Sequence, residues 1–169
     1  FTLKKGEILG ISGLIGSGRT ELISSIFGTY EGSKTGECIF NGKKINIKSA
    51  KEALKTGISM VPEDRKQDGI IADMSVEKNM TLSNLDSYTK AADYVDTYRE
   101  KTDVRRYIDL LKIKTTSEDL AIKNLSGGNQ QKVVLAKNLL VNPKIIILDE
   151  PTRGVDVGAK YEIYKNIVE

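Results

Sequence analysis

The sequence predicts an α/β fold with a parallel sheet at its core, on three observations. An apolar run, Ile8-Leu9-Gly10-Ile11, leads into a glycine-rich stretch from Gly13 to Thr20 (Gly-Leu-Ile-Gly-Ser-Gly-Arg-Thr), and Leu22, Ile23, Ile26 and Phe27 follow at helical spacing, giving the order strand, loop, helix. A second apolar run, Ile145 to Leu148, is uninterrupted, as expected of a strand covered on both faces in a parallel sheet. Between these two, from about Ser75 to about Ser117, strand signals give way to helical periodicity, which predicts a helical subdomain inserted between two parts of the core.

Glycines dominate Gly13 to Thr20 because backbone amides that turn inward around an anion need room a Cβ would fill. The helix that follows aims the positive end of its dipole at the same place. The stretch matches the phosphate-cradling loop of P-loop nucleotide-binding proteins in every position but one: Arg19 stands where that pattern has Lys. Taken alone it also fits an ordinary glycine-rich turn between strand and helix.

The 169 residues are enough for one domain with a substantial core. A balance of 26 Lys and Arg against 23 Asp and Glu leaves +3, too mild to argue for a nucleic-acid partner. The single cysteine, Cys38, excludes a disulfide within the chain and a Cys-rich zinc site, and suits a reducing cytoplasm. No apolar run approaches the length that spans a bilayer, so a membrane role would come through a partner. The chain opens at Phe1 in what reads as a strand and turn and stops at Glu169 inside a helical pattern, so truncation at both ends is expected.

In chain order, Gly28 to Gly36 reads as a loop. Cys38-Ile39-Phe40, Asn41-Gly42, then Ile45 and Ile47 predict a β-hairpin, since Asn-Gly tolerates the positive φ of a tight turn. Ser49 is placed to cap a short helix carrying Ala50, Ala53 and Leu54, and Ile58 to Val61 is the next strand, ended by Pro62. Glu63-Asp64-Arg65-Lys66 follows, readable as a solvated loop or, at the carboxyl end of a strand where ligands sit in doubly wound sheets, as a site with Glu63 facing a γ-phosphate and its metal. Ser75 caps a helix with Glu77 in its first turn, and Ala91, Tyr94, Val95, Tyr98 and Val104, Tyr107, Ile108, Leu111 mark further helical faces. Ser126-Gly127-Gly128 opens a helix with Val133, Ala136 and Leu140 on one face; it is readable as an ordinary cap or as a second anion site. Asp149 and Glu150 end the last apolar strand, where two acids would face a metal, a donor or water. Asp149 suits holding Mg²⁺ and Glu150 suits polarising an attacking water. Gly154-Val155-Asp156 then turns the chain into a helix carrying Ile163, Tyr164, Ile167 and Val168.

A phosphate loop, a helical insert, Leu125-Ser126-Gly127-Gly128 at a helix start and an apolar strand ending Asp149-Glu150, in this order, resemble the nucleotide-binding domain of ABC ATPases, a P-loop NTPase with a RecA-like parallel core, an antiparallel β element and a helical subdomain. The divisions expected on that resemblance are a core of about 1–72 and 125–169 and a subdomain of about 73–124. Val61 to Lys66, Ser126 to Lys132 and Asp149 to Asp156 are similar to the second of two fused ATPase domains in bacterial monosaccharide importers of the ribose, galactose and xylose type. Glu118 to Ile122 and Gly158 to Tyr164 stand nearest to the xylose member.

The resemblance implies ATP and Mg²⁺ as ligands. Gly13, Gly16, Ser17 and Gly18 would cradle phosphate, Arg19 would replace the phosphate Lys, and Thr20 with Asp149 would hold the metal. Glu63, in a position usually occupied by a Gln that contacts metal, water and the permease side, and Glu150, the candidate general base, are the implied catalytic residues. Ser126, Gly127 and Gly128 would close over ATP held by a sister domain fused in the parent chain, and Asp156 would contact across that interface. Membrane permeases, met through the helical insert and the Glu63 loop at the cytoplasmic face of the bacterial plasma membrane, and an external sugar-binding protein complete the implied partners. Two departures predict a degenerate site of this domain's own. Arg19 is a planar fork where Lys is a point charge, and Glu63 adds a negative charge that Arg65 or Mg²⁺ must offset. Rival readings are a non-hydrolytic nucleotide-binding or assembly domain, and an ABC-type DNA-repair ATPase, whose coiled-coil or Cys-rich insertions are not visible in the sequence.

Overall fold

A computed structural model describes residues 1–14, 16–90 and 94–168. Its elements run α1 (Arg19–Phe27), β1 (Cys38–Phe40), β2 (Lys43–Ile45), α2 (Ala50–Thr56), β3 (Ile58–Val61), α3 (Val76–Thr81), α4 (Thr97–Leu110), α5 (Gly127–Leu140), β4 (Ile145–Leu148) and α6 (Val157–Val168). A π-helical turn, Arg65–Gly69, follows β3, and a 3₁₀ segment, Leu82–Ser87, follows α3. No helix among the described residues is long and apolar enough to cross a membrane.

The hairpin forms as expected. Strands β1 and β2 pair antiparallel with Phe40 opposite Lys43, and both turn residues take positive φ, 51° at Asn41 and 74° at Gly42. Ser49 caps α2 by accepting from the Glu52 amide, and Glu52 returns the favour by accepting from the Lys48 amide. Strands β3 and β4 pair parallel, Ile58 with Ile145 through to Val61 with Leu148, and the Asp149 amide extends the ladder by donating to the Val61 carbonyl at 3.0 Å. Side chains of β4 alternate between two clusters, as a period of two requires. Ile146 and Leu148 face Val61, Met80, Val104, Val133 and Val134 on the α3–α5 side, whereas Ile145 and Ile147 face Ile47, Ala53 and Ile58 on the other. The strand meets apolar partners on both faces, but its residues stay half-buried because β3 is its one ladder partner among the described residues.

Two expectations are corrected. Ile8-Leu9-Gly10-Ile11 forms no strand; Ile8, Leu9 and Ile11 are exposed, and no ladder pairs with them among the described residues. An extended segment without a hydrogen-bonded neighbour has nothing to offset its ordering entropy. Nor do Tyr94 and Val95 lie on a helix. The Lys90 amide donates to the Tyr94 carbonyl, the Asp96 amide to the Tyr88 carbonyl, and Thr89 and Val95 form an antiparallel bridge. Helix α4 begins only after Asp96, whose side chain accepts from the Arg99 amide. Apolar spacing could not place that cap. Ala91, which belongs to the same pattern, lies outside the described residues, as do Ile15 and Glu169. Farther along, Val104 and Leu111 are buried as the second pattern requires. Helix α5 is buried nearly all round, well beyond the expected face of Val133, Ala136 and Leu140.

Candidate nucleotide site

The phosphate loop is shaped by its glycines. Gly16 and Gly18 take φ of 80° and 85°, and a Cβ on Gly13 would sit 2.5 Å from Ser17 Oγ. No side chain caps α1 at Gly18, so its first-turn amides are left facing outward. Five side chains from three elements converge beside it. From α1, Arg19 donates to Glu150 Oε1 at 3.3 Å and Thr20 Oγ1 to Glu63 Oε2 at 3.5 Å. From the end of β4 comes Asp149, buried at 7% exposure, with Oδ2 lacking any hydrogen-bond partner. Burial raises its carboxyl pKa above the ordinary value, with Glu63 and Glu150 pushing the same way and Thr20 and Arg19 opposing. Glu150 itself is held at φ 43°, a left-handed conformation that costs a non-glycine residue about 1 kcal/mol or more.

This donor set fits Mg²⁺. A buried carboxylate with an orphaned oxygen beside a threonine hydroxyl is the hard-oxygen chemistry that cation takes, one or two protein ligands being completed by phosphate oxygens and water. Among the described residues no group of three or more His, Cys, Asp or Glu is arranged to hold a metal ion. The sign of the Asp149 shift yields a prediction. An acid whose folded pKa is raised loses stability as pH climbs from its ordinary value of 3.8 toward the folded one, so ionising Asp149 is a cost to the nucleotide-free fold. Asp149→Asn should therefore raise the melting temperature of the nucleotide-free protein at pH values above the ordinary carboxylate pKa, an effect that fades in acid. A lowered melting temperature without ligand would contradict this placement.

The second group gathers at the start of α5. Ser126 is exposed, and its Oγ accepts from Asn129 Nδ2 at 2.9 Å and from the Asn129 amide at 3.5 Å, the ordinary cap geometry. Gly128 is required by close approach, since an added Cβ would lie 2.6 Å from Ala159 Cβ, whereas one on Gly127 would displace the end of the Arg65 side chain, 2.7 Å away. Asp156 Oδ1 accepts from the Ala159 amide at 2.9 Å, holding the turn against which Gly128 packs. A shallow cleft lined by Ser126, Gly128, Asn129, Lys132, Asp156 and Glu162 opens beside it. No hydrogen bond among the described residues joins Ser126, Gly127 or Gly128 to the phosphate loop.

Sequence reasoning missed Arg153, which lies between the two groups. Its guanidinium pairs with Glu63 Oε1. Arg65, the compensating cation expected from the sequence, is directed elsewhere: it donates to the carbonyls of Arg153 and Gly154 at 2.8 and 3.2 Å and to Gln130 Oε1 at 3.5 Å. The signal was a charge balance: Glu63 needs a cation, and proximity in sequence pointed to the wrong one.

The family model described as ABC transporter matches residues 1–153. The chain belongs to the ABC transporter family. It is 56% identical over 167 residues to the xylose import ATP-binding protein XylG of Pectobacterium atrosepticum, covering 99% of this chain and 33% of that protein. Its identity to XylG of Photobacterium profundum is also 56%, over 98% of this chain and 32% of that one. The chain thus spans about a third of the length of the curated relatives it matches. Among solved structures, the ATP-binding cassette MJ0796 in a dimeric post-hydrolysis state bound to ADP and Pi superposes with a TM-score of 0.78 at 26% identity, over 99% of this chain and 70% of that one. The ADP conformation of MJ1267, an ATP-binding cassette of an ABC transporter, shares the fold with a TM-score of 0.68 at 24% identity, over 90% and 61%.

Proposed function

We propose that this chain is the nucleotide-binding part of a monosaccharide-import ATPase, with xylose as the sugar carried by the whole transporter. The observation that carries the nucleotide reading is Asp149, buried and with an oxygen left unpartnered, beside Thr20 at the mouth of the glycine loop. The sugar rests on the names of the relatives.

When bound, ATP with Mg²⁺ supplies the scissile phosphoryl bond and the charge that neutralises it. The amides of Gly16, Ser17 and Gly18 bind phosphate oxygens, and the Thr20 hydroxyl and Asp149 hold the metal. Glu150 orients the attacking water and accepts its proton. To reach a phosphate, Arg19 must first leave Glu150, its partner at 3.3 Å. That exchange favours a site that binds nucleotide and turns it over slowly, and it is also what a non-hydrolytic assembly domain would display. Ser126, Gly127 and Gly128 serve a nucleotide held by a sister domain of the parent chain, with Asp156 at that interface. In this division, residues 1–72 and 125–169 act as the core and residues 73–124 as the helical arm that meets the permeases at the cytoplasmic face of the membrane; the sugar reaches them through an external binding protein, and no nucleic acid takes part.

The test is ATP turnover in the full-length protein assembled with its permease. Turnover should require Mg²⁺ and rise when xylose and its binding protein are supplied. Arg19→Ala should reduce it less than about fivefold, against on the order of 100-fold for removing the sister domain's phosphate Lys, a loss typical of deleting one preorganised donor. Equal losses would mean that both sites hydrolyse; turnover stimulated by DNA and indifferent to sugar would favour the repair-ATPase reading.

A further inference from the structure

We infer that Arg153 is the counter-ion that allows Glu63 to stand beside the phosphate loop, a positioning residue for nucleotide binding that acts through Glu63. The inference rests on the nucleotide site proposed above and adds a residue to it.

Three acids, Glu63, Asp149 and Glu150, meet where a polyphosphate would lie, and mutual repulsion of Glu63 and Glu150 with Asp149 is already felt in the ligand-free protein. Added phosphate charge would raise that repulsion further. Arg19 is engaged by Glu150, so it offers Glu63 nothing. Among the described residues Arg153 alone has its guanidinium on Glu63, and the contact joins residues 90 apart in the chain. Its aim is set from behind. Arg65 grips the carbonyls of Arg153 and Gly154, and its third donor reaches Gln130 in α5. The turn that carries Arg153 is thereby fixed between the π-helical turn after β3 and the first turn of α5.

The pair also bears on the metal. Thr20 Oγ1 now donates to Glu63 Oε2, and the same hydroxyl must turn its oxygen toward the cation when Mg²⁺ arrives. With Arg153 holding Oε1, Glu63 stays in place while Thr20 is released. Without Arg153, Glu63 is an uncompensated carboxylate facing the incoming triphosphate, and binding weakens. Both side chains are partly exposed, 55% for Arg153 and 36% for Glu63, so the effect is moderate and sensitive to salt.

The experiment is a double-mutant cycle on ATP affinity, measured calorimetrically with Mg²⁺ in the full-length protein; a contribution from any second nucleotide site is common to all four proteins and cancels. Arg153→Ala should weaken binding about fivefold in the unaltered background and by less than about twofold in the Glu63→Gln background, as expected for loss of one partly screened charge pair. The loss should shrink as salt is raised, and Arg153→Lys should recover most of the affinity because it keeps the charge. Equal weakening in both backgrounds would overturn the inference, placing Arg153 on the nucleotide directly or in the fold alone; failure of Arg153→Lys to recover affinity would do the same. If the unaltered full-length protein bound no ATP, the site reading itself would fall, and this inference with it.

Discussion

Lys78→Met lowers the unfolding free energy by about 1–3 kcal/mol, the cost of leaving buried carboxylates short of a donor, reduced from that of a fully buried pair because the Lys78 side chain is itself half exposed. Glu100 on α4 is fully buried and Glu77 on α3 nearly so, at 0% and 3% exposure. Lys78 Nζ donates to both Glu100 oxygens at 3.0 and 3.1 Å and pairs with Glu77 Oε1 at 3.1 Å, and the Thr81 hydroxyl donates to Glu100 Oε1 at 2.7 Å. The other Glu77 oxygen has no hydrogen bond, and Lys101 Nζ lies 4.0 Å from it. Burial pulls the Lys78 ammonium pKa down, but the hydrogen bonds of Glu100 and Glu77 outweigh it and the net shift is upward. With the folded pKa raised, this contribution is present throughout the range below 10.5 and is lost as pH climbs through the folded value. Against the about 5–15 kcal/mol of an ordinary domain, such a loss is readily measured. Urea titration should show the midpoint falling at an unchanged slope, and adding Glu100→Gln to Lys78→Met should restore part of the loss by removing a stranded charge. A fall below about 1 kcal/mol would mean that water reaches these carboxylates.

On the proposed assembly, Ser126→Arg should suppress ATP turnover of the full-length protein on the order of 100-fold while leaving the fold intact, the scale of removing one preorganised donor from a site of developing charge. Ser126 is exposed at the start of a helix whose interior is buried, so a large side chain there meets solvent in this domain and would meet the sister domain in the proposed assembly. Its present bonds, both to Asn129, are replaceable at small cost in stability. Circular dichroism and melting temperature should change little, and ATP affinity of this domain's own loop should be retained. Unchanged turnover would remove Ser126 from the catalytic cycle and leave it an ordinary cap.

Local features were legible in the sequence because near neighbours decide them. Asn41-Gly42 accepts positive φ wherever it occurs, Ser49 and Ser75 cap the helices they precede, and Ile145 to Leu148 is apolar at every position because both its faces meet side chains. The glycine loop and the acids at the end of β4 could be paired as one site because the α/β order brings strand ends and helix starts to one edge. The start of α4 was not legible, since Tyr94 and Val95 keep helical spacing while their backbone bonds back to Tyr88 and Lys90.

By itself, then, the sequence determined the fold class, the hairpin, the caps and which residue types line the phosphate loop, all consequences of periodicity and turn chemistry over a few residues. Only the tertiary structure decided that Arg153 and not Arg65 answers Glu63, that Arg19 rests on Glu150, and that Asp149 keeps a buried, unpartnered oxygen. The reason is physical: which charges meet across 90 or 131 residues depends on the path of the chain between them, and that path is set by the packing of the core.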